Sequence, residues 1–119
     1  MQSYKELTVY QKSVELSVII YRITRTFPKE ELYGLVSQLR RCSVSIPSNI
    51  AEGQRRGSRL EYIHFLRIAF GSGAELETQI LIAFKIGYLK EEQYKEVLNL
   101  LDEIMKMLNK LISVLEKNK

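Results

Sequence analysis

The segment Val97-Leu98-Asn99-Leu100-Leu101-Asp102-Glu103-Ile104-Met105-Lys106-Met107-Leu108-Asn109-Lys110-Leu111-Ile112-Ser113-Val114-Leu115 places apolar residues in steps of four and three. Val97, Leu101, Ile104, Leu108, Leu111 and Leu115 form a heptad seam. Leu98, Met105 and Ile112 flank it on one side; Leu100, Met107 and Val114 flank it on the other. At about 100° per residue the apolar arc spans roughly 200°, wider than the minimum a bundle helix needs. This is a helix that buries most of its circumference.

Working outward, the same periodicity covers nearly the whole chain. The only sustained alternation, Cys42 to Ile46, is short and lies inside a longer helical pattern. Breaks fall at Phe27-Pro28-Lys29, at Gly53 to Gly57 and at Gly87 to Lys90. They predict helices over 6–27, 30–53, 58–86 and 91–117. A chain of 119 residues can bury a substantial core but not two, so residues 1–119 read as one domain. Short connections favour antiparallel neighbours, which makes an all-α, up-down-up-down four-helix bundle the expected architecture.

Apolar residues at 45% and charged residues at 27% fit a folded globular protein and exclude a disordered one. The net charge of +4 permits a nucleic-acid or acidic protein partner without requiring one. The single cysteine, Cys42, rules out an intrachain disulfide. Its helical neighbours Leu35, Leu39 and Ile46 make it a small core residue of a reducing compartment. No apolar run approaches the length of a membrane span, and no signal segment is visible, so a cytoplasmic location without membrane contact is expected.

The first predicted helix carries two apolar stripes. Leu7, Tyr10, Val14, Val18 and Tyr21 form one; Val9, Leu16, Ile20, Ile23 and Phe27 form another nearly opposite. One stripe serves the bundle, and the other calls for a second subunit or an enveloping core. A homo-oligomer is the expectation. The third helix carries Tyr62, Leu66, Ala69, Gly73, Leu76, Ile80 and Ala83 at heptad spacing. Its middle, Gly71-Ser72-Gly73-Ala74, loses about 1 kcal/mol of helix propensity at each glycine. Close approach by another element explains it, with a break in the helix as the other reading.

On the second helix Leu32, Leu35, Leu39, Cys42, Ile46 and Ile50 make an apolar face. Opposite run Gln38, Arg41, Ser45, Ser48 or Asn49, and Glu52. Pro47 deprives the Ser43 carbonyl of its helical donor, so a bend is expected, with Ser43, Ser45 and Ser48 available to satisfy freed backbone groups. The short-chained polar stripe is read either as a solvated face or as one turned toward a subunit interface or channel. Beyond it, Arg55, Arg56 and Arg59 bracket Gly57-Ser58, and Ser58 with Glu61 makes a capping box. Free amides at a helix N-terminus among guanidinium groups form a candidate phosphate site, with a solvated turn as the plainer reading.

Catalytic chemistry finds little support. Glu61 and His64 have the Glu-x-x-His spacing of di-iron bundles, but such a site needs two copies and His64 is the only histidine. No nucleophile sits beside a base, and no glycine-rich phosphate loop follows a strand. Neither an enzyme nor a cofactor is expected.

Several runs resemble the 23S rRNA-intervening-sequence protein family of four-helix bundle proteins. They are Leu7-Thr8-Val9-Tyr10-Gln11-Lys12, Phe27-Pro28-Lys29-Glu30-Glu31 and Gln38-Leu39-Arg40-Arg41. Ser45-Ile46-Pro47-Ser48-Asn49-Ile50-Ala51-Glu52-Gly53 and Gly71-Ser72-Gly73-Ala74-Glu75-Leu76-Glu77-Thr78-Gln79 complete the set. Tyr10 stands where that family often has tryptophan. The resemblance implies an antiparallel four-helix bundle and a ring-like homopentamer. It also implies kinship with the accessory proteins of diversity-generating retroelements, which work with a reverse transcriptase and its nucleic acid. It supplies no catalytic residues; Arg40 and Arg41 are the basic positions that match. The expected function is a non-enzymatic oligomeric module that binds RNA, DNA or a nucleic-acid enzyme through Arg40, Arg41, Arg55, Arg56 and Arg59. The alternative is a structural or protein-interaction oligomer with no nucleic-acid role.

Overall fold

In the computed structural model, which describes residues 3–117, the chain folds into four α-helices joined by short turns. They are α1 (Thr8–Thr24), α2 (Leu35–Arg55), α3 (Arg59–Lys85) and α4 (Glu91–Lys117), with 3-10 turns at Tyr4–Glu6 and Lys29–Glu31. Among the described residues there is no strand, and no helix is long and apolar enough to cross a membrane. Helix α1 packs on α2 and α4, and α3 packs on the same two. The backbones of α1 and α3 do not meet, nor do those of α2 and α4. The result is a four-helix bundle 48 Å long and 23 by 20 Å across.

The core follows the heptads except at the end of α4, where Ile112 is buried and the seam residues Leu111 and Leu115 are half-buried. Leu16 and Ile20 of α1, Leu39, Ile46 and Ile50 of α2, Leu66, Leu76 and Ile80 of α3, and Val97, Ile104 and Leu108 of α4 are fully buried. Two glycines close the turns. Gly57 and Gly87 adopt φ of +80° and +91°, a region that costs any side chain with a Cβ. At Gly87 the Tyr88 N–H reaches the Ala83 carbonyl and the Gly87 N–H reaches Phe84, a Schellman ending to α3.

The largest departure from the predicted boundaries lies before α2. Residues 30–34 belong to a 3-10 turn and loop, and α2 starts at Leu35. Gly34 sits at φ −112°, ψ −110°, outside helical geometry, and the Glu31 carboxylate accepts the Leu35 N–H at 3.3 Å. Glu31 thus caps the helix that it was predicted to lie within. Leu32 is consequently exposed rather than part of the α2 core face. The other Glu31 oxygen accepts the Tyr88 hydroxyl at 2.9 Å, and the Tyr88 ring lies 5.2 Å from Phe27, sealing that end of the bundle.

Helix α2 runs through Pro47 without interruption. The Ser43 carbonyl, left without its helical donor, accepts the Ser17 hydroxyl of α1 at 3.0 Å. That hydrogen is shared with Ser13 O at 3.2 Å. The rescue comes from a neighbouring helix, not from the local serines: Ser43 Oγ bonds Arg40 O, Ser45 bonds Ser72, and Ser48 is exposed. Helix α3 is likewise continuous through Gly71 to Ala74, which disposes of a break there. A Cβ on Gly73 would overlap Met105 Sδ of α4, and one on Gly53 would fall 2.6 Å from the Phe65 Cβ. Gly71 differs, with open space where its Cβ would be.

Candidate binding surfaces

The five arginines divide into two groups. Arg40 is half-buried and spent on the fold: its Nε donates to Thr24 Oγ1 at 3.0 Å and its guanidinium lies 4.6 Å over the Tyr21 ring. It clamps α2 to the end of α1. Arg56 pairs with Glu52 at 2.7 Å, a hydrogen bond and charge that hold its proton more tightly than usual, and it covers the Phe65 ring. Arg59 donates to the Leu115 carbonyl at 3.2 Å, satisfying a terminal acceptor of α4. Arg41 and Arg55 are exposed and bond no other described residue.

The geometry at the start of α3 follows from these assignments. Ser58 accepts the Glu61 N–H at 3.3 Å, which is the forward half of the predicted cap. Arg56 leans back along α2 and Arg59 reaches across to α4, so the three guanidinium groups do not converge on the α3 amides. Arg41, Ser48 and Arg55 instead recur at seven-residue spacing, which aligns two exposed cations along one side of α2.

The polar stripe of α2 is turned partly toward α3. Ser45 and Ser72 share a hydrogen bond of 2.8 Å, and Asn49 Nδ2 bonds the Ser45 carbonyl and hydroxyl. The Cys42 thiol donates to Ser72 O at 3.0 Å. Gln79 Nε2 stands 3.4 Å from both Gln38 Oε1 and Glu75 Oε2, and its buried Oε1 has no partner. Gln38, Arg41, Cys42, Ser45, Ser72 and Glu75 border a polar cleft of about 190 Å³. Burial, and then the nearby Glu75 carboxylate, push the Cys42 thiol up to about 12. That thiol is a neutral donor and not a nucleophile. The α3 half of this seam escaped sequence reasoning, although Ser72, Glu75 and Gln79 recur at spacings of three and four.

The two stripes of α1 have opposite fates. Val9, Leu16, Ile20, Ile23 and Phe27 are buried; Val14, Val18 and Tyr21 are 37%, 61% and 42% exposed. The exposed stripe and Val44 and Pro47 of α2 line a largely apolar groove of about 480 Å³ rimmed by Arg22 and Arg25. Arg22 pairs with Glu96 at 3.2 Å, whereas Arg25 bonds no other described residue. Neither arginine was among the predicted site residues. His64 is exposed against the Phe65 ring, and among the described residues no three His, Cys, Asp or Glu side chains converge.

Proteins of curated function offer no match to this chain. Among solved structures it is similar to a protein of unknown function from the S23 ribosomal protein family of Bacteroides thetaiotaomicron VPI-5482. The two are 30% identical and superpose with a TM-score of 0.82 over 88% of this chain and 95% of that one. The family model for the 23S rRNA-intervening sequence protein matches residues 5–110, a span that contains the three turns between the helices, the Pro47 helix and the exposed stripe of α1. The chain belongs to the 23S rRNA-intervening sequence protein family.

Proposed function

We propose that this protein is a cytoplasmic, non-enzymatic homo-oligomer whose assembled basic surface binds nucleic acid or an enzyme that acts on it. The protomer is read as a single antiparallel bundle because Thr24 meets Arg40, Gln38 meets Gln79 and Arg67 meets Glu116. Oligomerisation is supported by the exposed Val14, Val18 and Tyr21 stripe; family kinship favours a pentameric ring. The observation that carries nucleic-acid binding is the alignment of Arg41 and Arg55, two exposed cations whose side chains have no partner among the described residues, on one side of α2. Repetition of that pair around an assembly multiplies phosphate contacts without new residues. A reverse-transcriptase-type partner, which the retroelement relationship implies, fits the same surface.

The test is binding to labelled RNA and duplex DNA across a salt series. Log K for duplex DNA is expected to fall with log salt by about 0.9 per phosphate contact. Arg41→Ala with Arg55→Ala should flatten that slope while leaving the helical signal intact. Binding that ignores salt, or no binding to either nucleic acid, contradicts the reading. One observation favours the structural alternative: Arg40, Arg56 and Arg59 are occupied within the chain. In that case the double variant changes no nucleic-acid retention, because there is none.

A further inference from the structure

We propose that the outer face of α1 in one copy seats on the outer face of α3 in the next, with Arg25 of the first copy paired to Glu75 of the second. This assignment rests on the oligomer reading and names its contact. The first face is the apolar groove of Val14, Val18, Tyr21 and Val44. The second is a stripe on α3 in which Leu60, Ile68, Ile82 and Ile86 are 68%, 39%, 47% and 53% exposed. Since the backbones of α1 and α3 do not meet within the bundle, one chain presents both faces at once.

Three observations favour a second copy as the occupant. The first is Gly71, which lies within the exposed α3 stripe. A glycine inside an exposed helix loses about 1 kcal/mol against alanine. Gly53 and Gly73 are each explained by a side chain pressed against them, and Gly71 has nothing within 4 Å of its Cβ position. A helix surface with no side chain at that point lets an aromatic ring such as that of Tyr21 lie against the backbone.

The second observation is charge. The α1 groove is rimmed by Arg22 and Arg25, and the Arg25 guanidinium has no partner among the described residues. The α3 stripe carries Glu61 and Glu75, exposed carboxylates that form no ion pair with a described residue. The third is register. Arg25 follows Val18 by seven residues, and Glu75 lies seven residues from both Ile68 and Ile82. Each interval is about 10.5 Å of helix rise. Covering Ile68 with Val18 therefore brings Tyr21 level with Gly71 and the Arg25 guanidinium level with the Glu75 carboxylate. Pairing α1 with itself would leave the α3 stripe and Gly71 uncovered. Joining unlike faces covers both, and such a contact repeats from copy to copy until a ring closes.

Charge reversal tests the pairing, with Glu75→Gln as the control that removes the charge but keeps an acceptor for Gln79 Nε2. Arg25→Glu and Glu75→Arg should each weaken association at least tenfold in light scattering, with unchanged helical circular dichroism, and the double variant should restore it. Oxidative cross-linking gives a second measurement, because Cys42 is buried and its thiol stays protonated. Val18→Cys mixed with Ile68→Cys should yield a linked pair that neither variant forms alone. Linkage of Val18→Cys to itself would overturn the pairing, as would a wild-type multimer indifferent to both charge reversals. A wild-type particle of 13.9 kDa at micromolar concentration would overturn the oligomer reading as well.

Discussion

Helices α1 and α4 pack against each other and close over the same core, yet they turn different surfaces outward. Helix α4 buries Val97, Leu101, Ile104, Leu108 and Ile112 and meets water mainly with charges, Val114 being its exposed apolar residue. Its outer side carries the ion pairs Glu91–Lys95 at 3.4 Å and Asp102–Lys106 at 3.0 Å, spaced four residues apart. Helix α1 buries Val9, Leu16, Ile20 and Ile23, then shows Val14, Val18 and Tyr21 on the far side. Solvated pairs like those of α4 add only a few tenths of a kcal/mol each, but they keep a face soluble and unattached. Helix α1 lacks that protection. The contrast leaves α4 with a charged outer wall and α1 with an apolar one, the face that the proposed assembly would cover.

The largest effect expected from a substitution is on the buried side of α4. Leu108→Ala should lose about 2–5 kcal/mol in denaturant unfolding, because the side chain is fully buried and the cavity is lined from all sides. Val18→Ala, on the open side of α1, should change the intrinsic stability of the bundle by less than about 0.5 kcal/mol. Its effect should instead depend on protein concentration, through the linkage of assembly to folding. Equal, concentration-independent losses for the two variants would erase the distinction between the helices.

Next in size are the two anchors that hold α1 to α2. Arg40→Ala removes a charge-assisted hydrogen bond to Thr24 and the contact with Tyr21, and about 1.5–3 kcal/mol should go with them. Arg40→Lys should recover little, since a point ammonium cannot reproduce the flat guanidinium on the ring. Ser17→Ala strips the donor from the Ser43 carbonyl, and about 1 kcal/mol is expected to be lost. With Pro47→Ala added, that loss should shrink, because residue 47 then regains an N–H of its own. Persistence of the full loss would place the role of Ser17 elsewhere.

The smallest expected effect concerns the interior that both helices enclose. The Cys42 thiol has its pKa pushed from 9.0 up to about 12 in the fold, by burial first and then by Glu75. Between those values the unfolded chain releases a proton that the folded chain keeps, so stability falls as pH rises from about 9 toward 12. Cys42→Ala should show a shallower decline than wild type over that window in parallel thermal melts. Identical curves would mean that the thiol ionises without resistance.

Much of this molecule was legible in its residues, for reasons that differ by region. The heptad of α4 and the breaks at Gly57 and Gly87 place helices correctly because burial and positive φ leave direct marks on sequence. The double stripe of α1 foretold a helix with one face left over. The start of α2 was misplaced because Glu31 looks like any helix-forming residue until its side chain is seen capping Leu35. Pairings across helices were out of reach: nothing local says that Ser17 serves the carbonyl freed by Pro47, or that Ser72 meets Ser45. The arginines show the same limit most sharply. Five cations close in sequence look like one patch, but Arg40, Arg56 and Arg59 are drawn into the fold by Thr24, Glu52 and Leu115, partners distant or unremarkable in the sequence.

The contrast between α1 and α4 stands or falls on the mass of the wild-type particle. Light scattering at micromolar concentration should find a multiple of the 13.9 kDa chain. Val18→Asp, which places a carboxylate on the open face of α1, should reduce it to a single helical bundle, whereas Lys106→Asp on the outer face of α4 should leave the mass unchanged. A wild-type particle of one chain, or a multimer unaffected by Val18→Asp, would contradict the assignment of α1 as the assembling face.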